Sequence, residues 1–293
     1  MKYKNILVTG GAGFIGNHLV ERLTSAKDIN IRVYDRLRDG LELIKPIKGK
    51  SSFELVQGDL LSLQDVVKAV KGCEVVYHLA ANPEVRISVT EPEVHFKQNV
   101  LATYNLLEAL RRDGCTKLFV FTSSSTVYGD AERIPTPEDY APLKPISVYG
   151  ASKLACESLI SAYAYTYGFK AIIYRLANIV GPRSKHGVIY DFILKLKRNP
   201  KTLEILGDGS QRKSYLHISD CIDAILHLYE GFEGDETLYD VYNVGSEDWV
   251  VVREIADIVI ETQQQDVLRL SSEAFHTIIA PNMVGFSSFS PPE

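Results

Sequence analysis

The 293-residue chain is 45% hydrophobic and 24% charged, with a formal net charge of −5. That composition belongs to a soluble globular protein of one large domain or two intimate lobes, and the acidic balance gives no electrostatic reason to expect nucleic acid or an anionic membrane surface as partner. No run approaches the ~18 apolar residues of a membrane span, and Cys73, Cys115, Cys156 and Cys221 are spaced too widely for a metal site or a disulfide framework, which fits a reducing cytoplasm.

In chain order, MKYKNILVTGGAGFIG opens with two lysines and an apolar run, but Gly10, Gly11 and Gly13 interrupt it before any cleavage-type ending. It reads as a first strand rather than a signal peptide. NILVTG (5–10) ends in glycine and suits a buried parallel strand, with a helix from about Gly13 to Thr24. Further strands are expected at 31–35, 53–59, 73–81, 117–125 and 170–178, with helical patterns at 63–70, 93–113 and 148–167. Strands alternating with helices argue for a parallel, doubly wound α/β sheet with right-handed crossovers. After about residue 176 the rhythm changes. A helix is expected at 187–200, a loop and short strand at 207–220, a helix to about Glu230, a strand at 239–245 and a helix at 252–261. The expected division is a dinucleotide-binding domain over 1–176, a smaller α/β lobe over 177–270 that weaves back into the first, and an atypical tail over 271–293.

TGGAGFIG (9–16) sits at a strand-to-helix turn with Gly10, Gly13 and Gly16 three apart. Missing side chains let backbone approach a pyrophosphate, and a helix N-terminus supplies free N–H groups and partial positive charge. Asp35 closes the second strand, where a carboxylate can bind both adenosine ribose hydroxyls and repel a 2′-phosphate, which favours NAD over NADP. Arg36 and Arg38 stand beside it, and arginine there can instead accept a 2′-phosphate. Asp59, after the third strand, could cap the adenine edge or simply close a turn. Tyr149 and Lys153 lie four apart where a helix begins, on one face. A phenol with a pKa of about 10 is a poor base at neutral pH, and a nearby ammonium would favour its phenolate.

Together, TGGAGFIG, GDL (58–60), HLAA (78–81), Asn99, TSSSTVYG (122–129) and YGASK (149–153) resemble the extended short-chain dehydrogenase/reductase family. Within its NAD-dependent epimerase/dehydratase branch they look most like nucleotide-sugar epimerases of the UDP-glucose 4-epimerase type, archaeal ones especially. The likeness runs from residue 1 to about 261. It implies bound NAD, a UDP-sugar substrate and a homodimer formed through the helices at 93–113 and 148–167. It assigns catalysis to Ser124, Tyr149 and Lys153. Cofactor contacts fall to Gly10, Gly13, Phe14, Ile15, Gly16, Asp35, Arg36, Asp59, Leu60, Leu79, Ala80, Ala81, Asn99, Thr122, Tyr149, Lys153 and Leu176. Substrate contacts fall to Arg86, Ser124, Asn178, Val188, and Arg212 or Lys213, lysine standing where the family carries arginine.

The implied activity is 4-epimerisation by transient oxidation at carbon 4. Family dehydratases carry an Asp-Glu pair where Ser125 and Thr126 stand, so elimination lacks its proton carriers here. Two alternatives stay open: a nucleotide-sugar oxidoreductase or dehydratase, and an NAD-binding protein with impaired catalysis. The second arises because the Gly-Trp-rich loop and late arginine of the family are not recognisable after residue 262, where Arg269 is the only arginine. His78 and His217 read as core histidines in strands rather than catalysts.

Overall fold

The computed structural model describes residues 3–26, 28–37, 40–44, 52–232 and 237–265. Arg38, Arg269 and the tail lie outside them. Along the chain, strands β1 (Asn5–Thr9), β2 (Asn30–Asp35), β3 (Phe53–Gln57), β4 (Val75–His78), β5 (Leu118–Ser124) and β6 (Lys170–Leu176) are separated by helices. These are α1 (Phe14–Leu23), α2 (Leu41–Ile44), α3 (Leu63–Ala69), α4 (Pro92–His95), α5 (Ala102–Asp113) and α6 (Val148–Tyr167). Then follow β7 (Asn178–Val180), α7 (Val188–Arg198), β8 (Arg212–Lys213), β9 (Tyr215–His217), α8 (Ile218–Phe232), β10 (Tyr239–Val244), β11 (Val250–Val251) and α9 (Val252–Gln265). None of the described helices is long and apolar enough to cross a membrane.

The chain forms two compact units, Met1–Ala177 with Ser219–Val244, and Asn178–Ile218 with the chain from Gly245 onward. In the first unit seven parallel strands run in the order β10-β6-β5-β4-β1-β2-β3. Both faces are covered, which is why these strands are nearly continuous apolar runs: β4 is buried throughout, and six of the seven β5 residues are. Strand order reverses between β1 and β4, and an open parallel sheet presents its ligand crevice outside the carboxyl ends of the strands at such a point.

Local chemistry sets the helix bounds. The Ser147 hydroxyl accepts a hydrogen bond from the Gly150 amide at 3.0 Å and starts α6, a cap worth about 1 kcal/mol. Gly168, at φ 76°, ends it in the left-handed conformation that a side chain would strain. The helical pattern expected over 93–113 is one continuous helix from α4 to α5, interrupted by a π-turn at Phe96–Leu101. The strand expected over 73–81 is shorter. Beyond His78 the chain leaves the ladder, although the Leu79 amide still donates to the Thr9 carbonyl at 3.1 Å. The run expected at 170–178 divides into β6 and β7. In the second unit, α7 and α9 pack through Ile189, Phe192, Ile193, Leu196, Ile255, Ala256 and Val259, beside the β7–β9 and β8–β11 pairs.

Candidate active site

The glycine loop is a cradle that side chains would fill. Gly10 has φ +71°, and a Cβ there would stand 2.6 Å from the Ala80 amide nitrogen, so the turn after β1 runs directly against the Leu79–Ala80 backbone. A Cβ on Gly16 would strike the Gly10 carbonyl. Gly13 is the N-cap of α1, and no side chain caps that helix; Phe14 and Ile15 form its first turn. Its first amides therefore face the loop mouth with the positive end of the helix dipole behind them, the environment a pyrophosphate needs.

Asp35 is fixed beside this loop. Its Oδ2 accepts from the Ala12 amide at 3.1 Å and its Oδ1 from the Leu37 amide at 2.8 Å. Each carboxylate oxygen keeps a further lone pair for a ribose hydroxyl. Asp59 uses Oδ1 to accept from the Leu61 amide at 3.0 Å, closing a turn, while its carbonyl accepts from the Tyr34 hydroxyl at 3.1 Å; Leu60 beside it is buried. These residues fit a nicotinamide dinucleotide: a phosphate cradle, a carboxylate at the ribose position, and the half-buried Leu79, Ala80 and Ala81, of which Leu79 and Ala80 back the glycine turn.

The acid/base group is built from β5 and α6. Ser124 ends β5, and its hydroxyl oxygen accepts from the Thr126 hydroxyl at 3.0 Å and the Thr126 amide at 3.3 Å. Tyr149 lies in the first turn of α6, its amide donating to the Ser88 hydroxyl at 3.3 Å. Burial pushes its phenol up to about 12, and the hydrogen-bonded Ser124 hydroxyl pulls it back. This reverses the expected lowering by Lys153. The Lys153 ammonium donates to the Thr122 carbonyl at 2.9 Å, lies 4.7 Å from the centre of the Phe121 ring, and is 6.0 Å from that of Tyr149. Burial draws it down to about 8, against the opposing influence of Cys156 and Glu157. Leu176, at the end of neighbouring β6, is buried and pairs with Ser124.

Other residues fix Tyr149 in place. The buried His95 ring meets Tyr149 edge-on at 5.6 Å. Asn99 is buried in the π-turn: its Oδ1 accepts from the Asn82 amide at 2.8 Å, and its Nδ2 donates to the Ser152 hydroxyl at 2.9 Å. Ser152 in turn donates to the Tyr149 carbonyl at 2.7 Å. Tyr149 is thus held at both backbone ends, by Ser88 and by the Asn99–Ser152 chain. Only the helical i, i+3 spacing of Ser152 could have hinted at this. His78 is a core histidine, with the Thr9 and Thr103 hydroxyls at 2.7 and 2.9 Å from its two ring nitrogens. Burial takes it down to about 3, with Lys153 acting in the same direction.

Of the expected substrate residues in the first unit, Arg86 is exposed in a single turn at Val85–Ser88. In the second unit, the Asn178 side chain donates to the Ser214 carbonyl at 2.9 Å. Val188 begins α7 and packs on that unit's core. Arg212 and Lys213 are both exposed on β8, where successive side chains point to opposite faces. The Arg212 guanidinium lies 4.0 Å over the Trp249 ring.

The family model for the NAD dependent epimerase/dehydratase family matches residues 6–245. A Methanocaldococcus jannaschii protein named putative UDP-glucose 4-epimerase is 34% identical over 260 residues, covering 87% of this chain and 81% of that one. The crystal structure of a UDP-galactose 4-epimerase is similar with a TM-score of 0.80 and 48% identity, over 89% of this chain and 83% of that one. The UDP-glucuronic acid 4-epimerase of Bacillus cereus, solved in complex with UDP-glucuronic acid and NAD, gives 0.79 at 29% identity over the same shares, 89% and 83%.

Proposed function

The chain belongs to the NAD-dependent epimerase/dehydratase family, and we propose that it is an NAD-dependent 4-epimerase of nucleotide sugars, with UDP-glucose and UDP-galactose as its substrate pair. The observation that carries this reading is the Ser124–Tyr149–Lys153 group at the carboxyl ends of the parallel strands, the same sheet edge that bears the glycine loop. Gly10, Gly13 and Gly16 with the first turn of α1 hold the pyrophosphate of NAD, Asp35 the adenosine ribose, and Lys153 the other ribose. Bound NAD supplies a reversible hydride acceptor at carbon 4 of the sugar.

The chain's own groups manage the proton. Tyr149 takes it from the 4-hydroxyl as that carbon is oxidised, and Ser124 shares the hydrogen bond to the same oxygen. Burial holds the Tyr149 phenol high, so the charge that favours the phenolate would come from Lys153, 6.0 Å from the ring centre, together with the positive ring of a bound cofactor. Once the flat 4-keto sugar has turned, the hydride would go back to the opposite face of carbon 4 and Tyr149 returns the proton to the 4-oxygen. Thr126 has its hydroxyl bonded to Ser124, and neither residue 125 nor 126 is a carboxylate, which supports epimerisation over elimination. Within the second unit we assign the diphosphate to Asn178 and Lys213 rather than Arg212, because Arg212 is stacked on Trp249; the substrate roles of Val188, and of Arg86 in the first unit, are carried over from the family resemblance. We place the enzyme in the reducing cytoplasm, where its unpaired thiols persist, as a homodimer through α5 and α6.

The test is NMR of a panel of UDP- and dTDP-sugars incubated with protein and NAD. UDP-glucose should give UDP-galactose, and Tyr149→Phe should remove nearly all turnover while still binding NAD. A variant that keeps more than about a tenth of the wild-type rate would show that another group moves the proton, since one proton-transfer partner is typically worth about 10²–10⁴-fold.

A further inference from the structure

We propose that Gln98 is a specificity-determining residue for the dinucleotide: it engages Arg36, the cation next to Asp35, and so denies a 2′-phosphate its partner. This rests on the reading of the site as one for NAD. Discrimination between NAD and NADP turns on two things at the end of the second strand, a carboxylate that binds ribose hydroxyls and an arginine able to bind phosphate. This chain has both, adjacent, and the carboxylate alone does not settle the outcome.

The structure gives Arg36 an occupation. Its Nη2 donates to Gln98 Oε1 at 3.3 Å, and the Asn82 Nδ2 donates to the same oxygen at 3.3 Å. The Arg36 backbone is held as well, its carbonyl accepting from Gln57 Nε2 at 3.3 Å. Gln98 therefore joins three segments of the first unit: the turn after β2, the loop after β4 and the π-turn at Phe96–Leu101. The π-turn is what permits this. It winds more residues into each turn than an α-helix, so consecutive side chains diverge less. Gln98 and Asn99 consequently both reach Asn82, one at its side chain and the other at its amide.

A glutamine carbonyl is neutral, so its hold on the guanidinium is an ordinary hydrogen bond, weaker than the charge-assisted, forked contact that arginine makes with phosphate. The restraint works because Gln98 is itself anchored by Asn82, and because Asp35 opposes the incoming 2′-phosphate. Removing the glutamine leaves Asp35 in place and frees the arginine. Preference should then narrow without loss of NAD binding.

The experiment is calorimetric titration of wild type, Gln98→Ala, Gln98→Glu and the Gln98→Ala/Arg36→Ala double variant with NAD and with NADP. Gln98→Ala should bind NADP about tenfold more tightly, the order of one charge-assisted contact, with its Kd for NAD nearly unchanged. The double variant should lose that gain, and Gln98→Glu, which grips Arg36 harder, should widen the preference for NAD. If the NADP-to-NAD ratio of Kd values stays as in wild type in both single variants, or if the gain survives without Arg36, the proposal is overturned while the NAD reading stands. A wild-type protein that binds neither nucleotide would overturn the NAD reading and this inference with it.

Discussion

Lys153 is 3% exposed, and its burial works against its own charge. The consequence is a measurable trade between stability and function. Its ammonium falls from the ordinary 10.5 to about 8 in the folded protein. Below pH 8 both folded and unfolded chains carry the proton, and the folded state bears the full penalty. Between about 8 and 10.5 only the unfolded chain holds it, so stability contributed by this residue rises with pH across that window. Lys153→Met should therefore raise the Tm at pH 7, each ~1 kcal/mol of relief giving roughly 2–4 °C, with turnover abolished. Its advantage should shrink as pH rises from 8 to 10.5. A Tm at pH 7 equal to or below wild type, in scanning calorimetry, would show that the bond to Thr122 outweighs the desolvation. At this scale the sequence reveals the residue types and the i, i+4 placement of Tyr149 and Lys153. It does not reveal which way the phenol shifts, because burial is set by β5 and β6, elements distant in the chain. Gln98, Ser88 and His95 are silent for the same reason.

At the scale of elements, α6 is fastened to β5 and β6 one turn beyond Lys153. Glu157 accepts from Arg175 Nε at 3.2 Å and Nη2 at 2.8 Å, and from the Ser123 hydroxyl, next to Ser124. Arg175 also donates to the Tyr128 hydroxyl at 2.9 Å and the Glu138 carbonyl at 3.0 Å. Both charged side chains are buried, at 5% and 3% exposure. Removing one partner strands the other, which typically costs about 3–5 kcal/mol, whereas replacing both by apolar groups is often neutral. Glu157→Leu should destabilise by that amount in urea unfolding, and Glu157→Leu/Arg175→Met by clearly less. A double variant as unstable as the single would mean that the apolar pair fails to pack and that the network, not the charge, holds α6. The bounds of α6 are legible because Ser147 and Gly168 are local cap signals. The π-turn is not, since a helical pattern of period 3.6 looks much the same on either side of a one-residue slip, and the shortening of β4 follows from its long-range encounter with Gly10.

For the whole molecule, alternating apolar strands and amphipathic helices make the parallel α/β class legible. The position of β10 is not: it pairs with β6, Tyr239 beside Ala171, after an excursion through the second unit that no local period announces. Tyr104 on α5, Tyr165 and Tyr167 on α6, and Phe96 in the π-turn remain exposed, an apolar set consistent with the proposed dimer. Light scattering at micromolar concentration should give twice the chain mass; a monomer mass would remove that part of the proposal. The central claim is transient oxidation at carbon 4, with the same hydrogen returned to the opposite face. Its most direct test is UDP-glucose deuterated at carbon 4, incubated with protein and unlabelled NAD and followed by NMR. Deuterium should be retained at carbon 4 of the UDP-galactose formed. Loss of the label to water, or its release in free reduced dinucleotide, would contradict the mechanism.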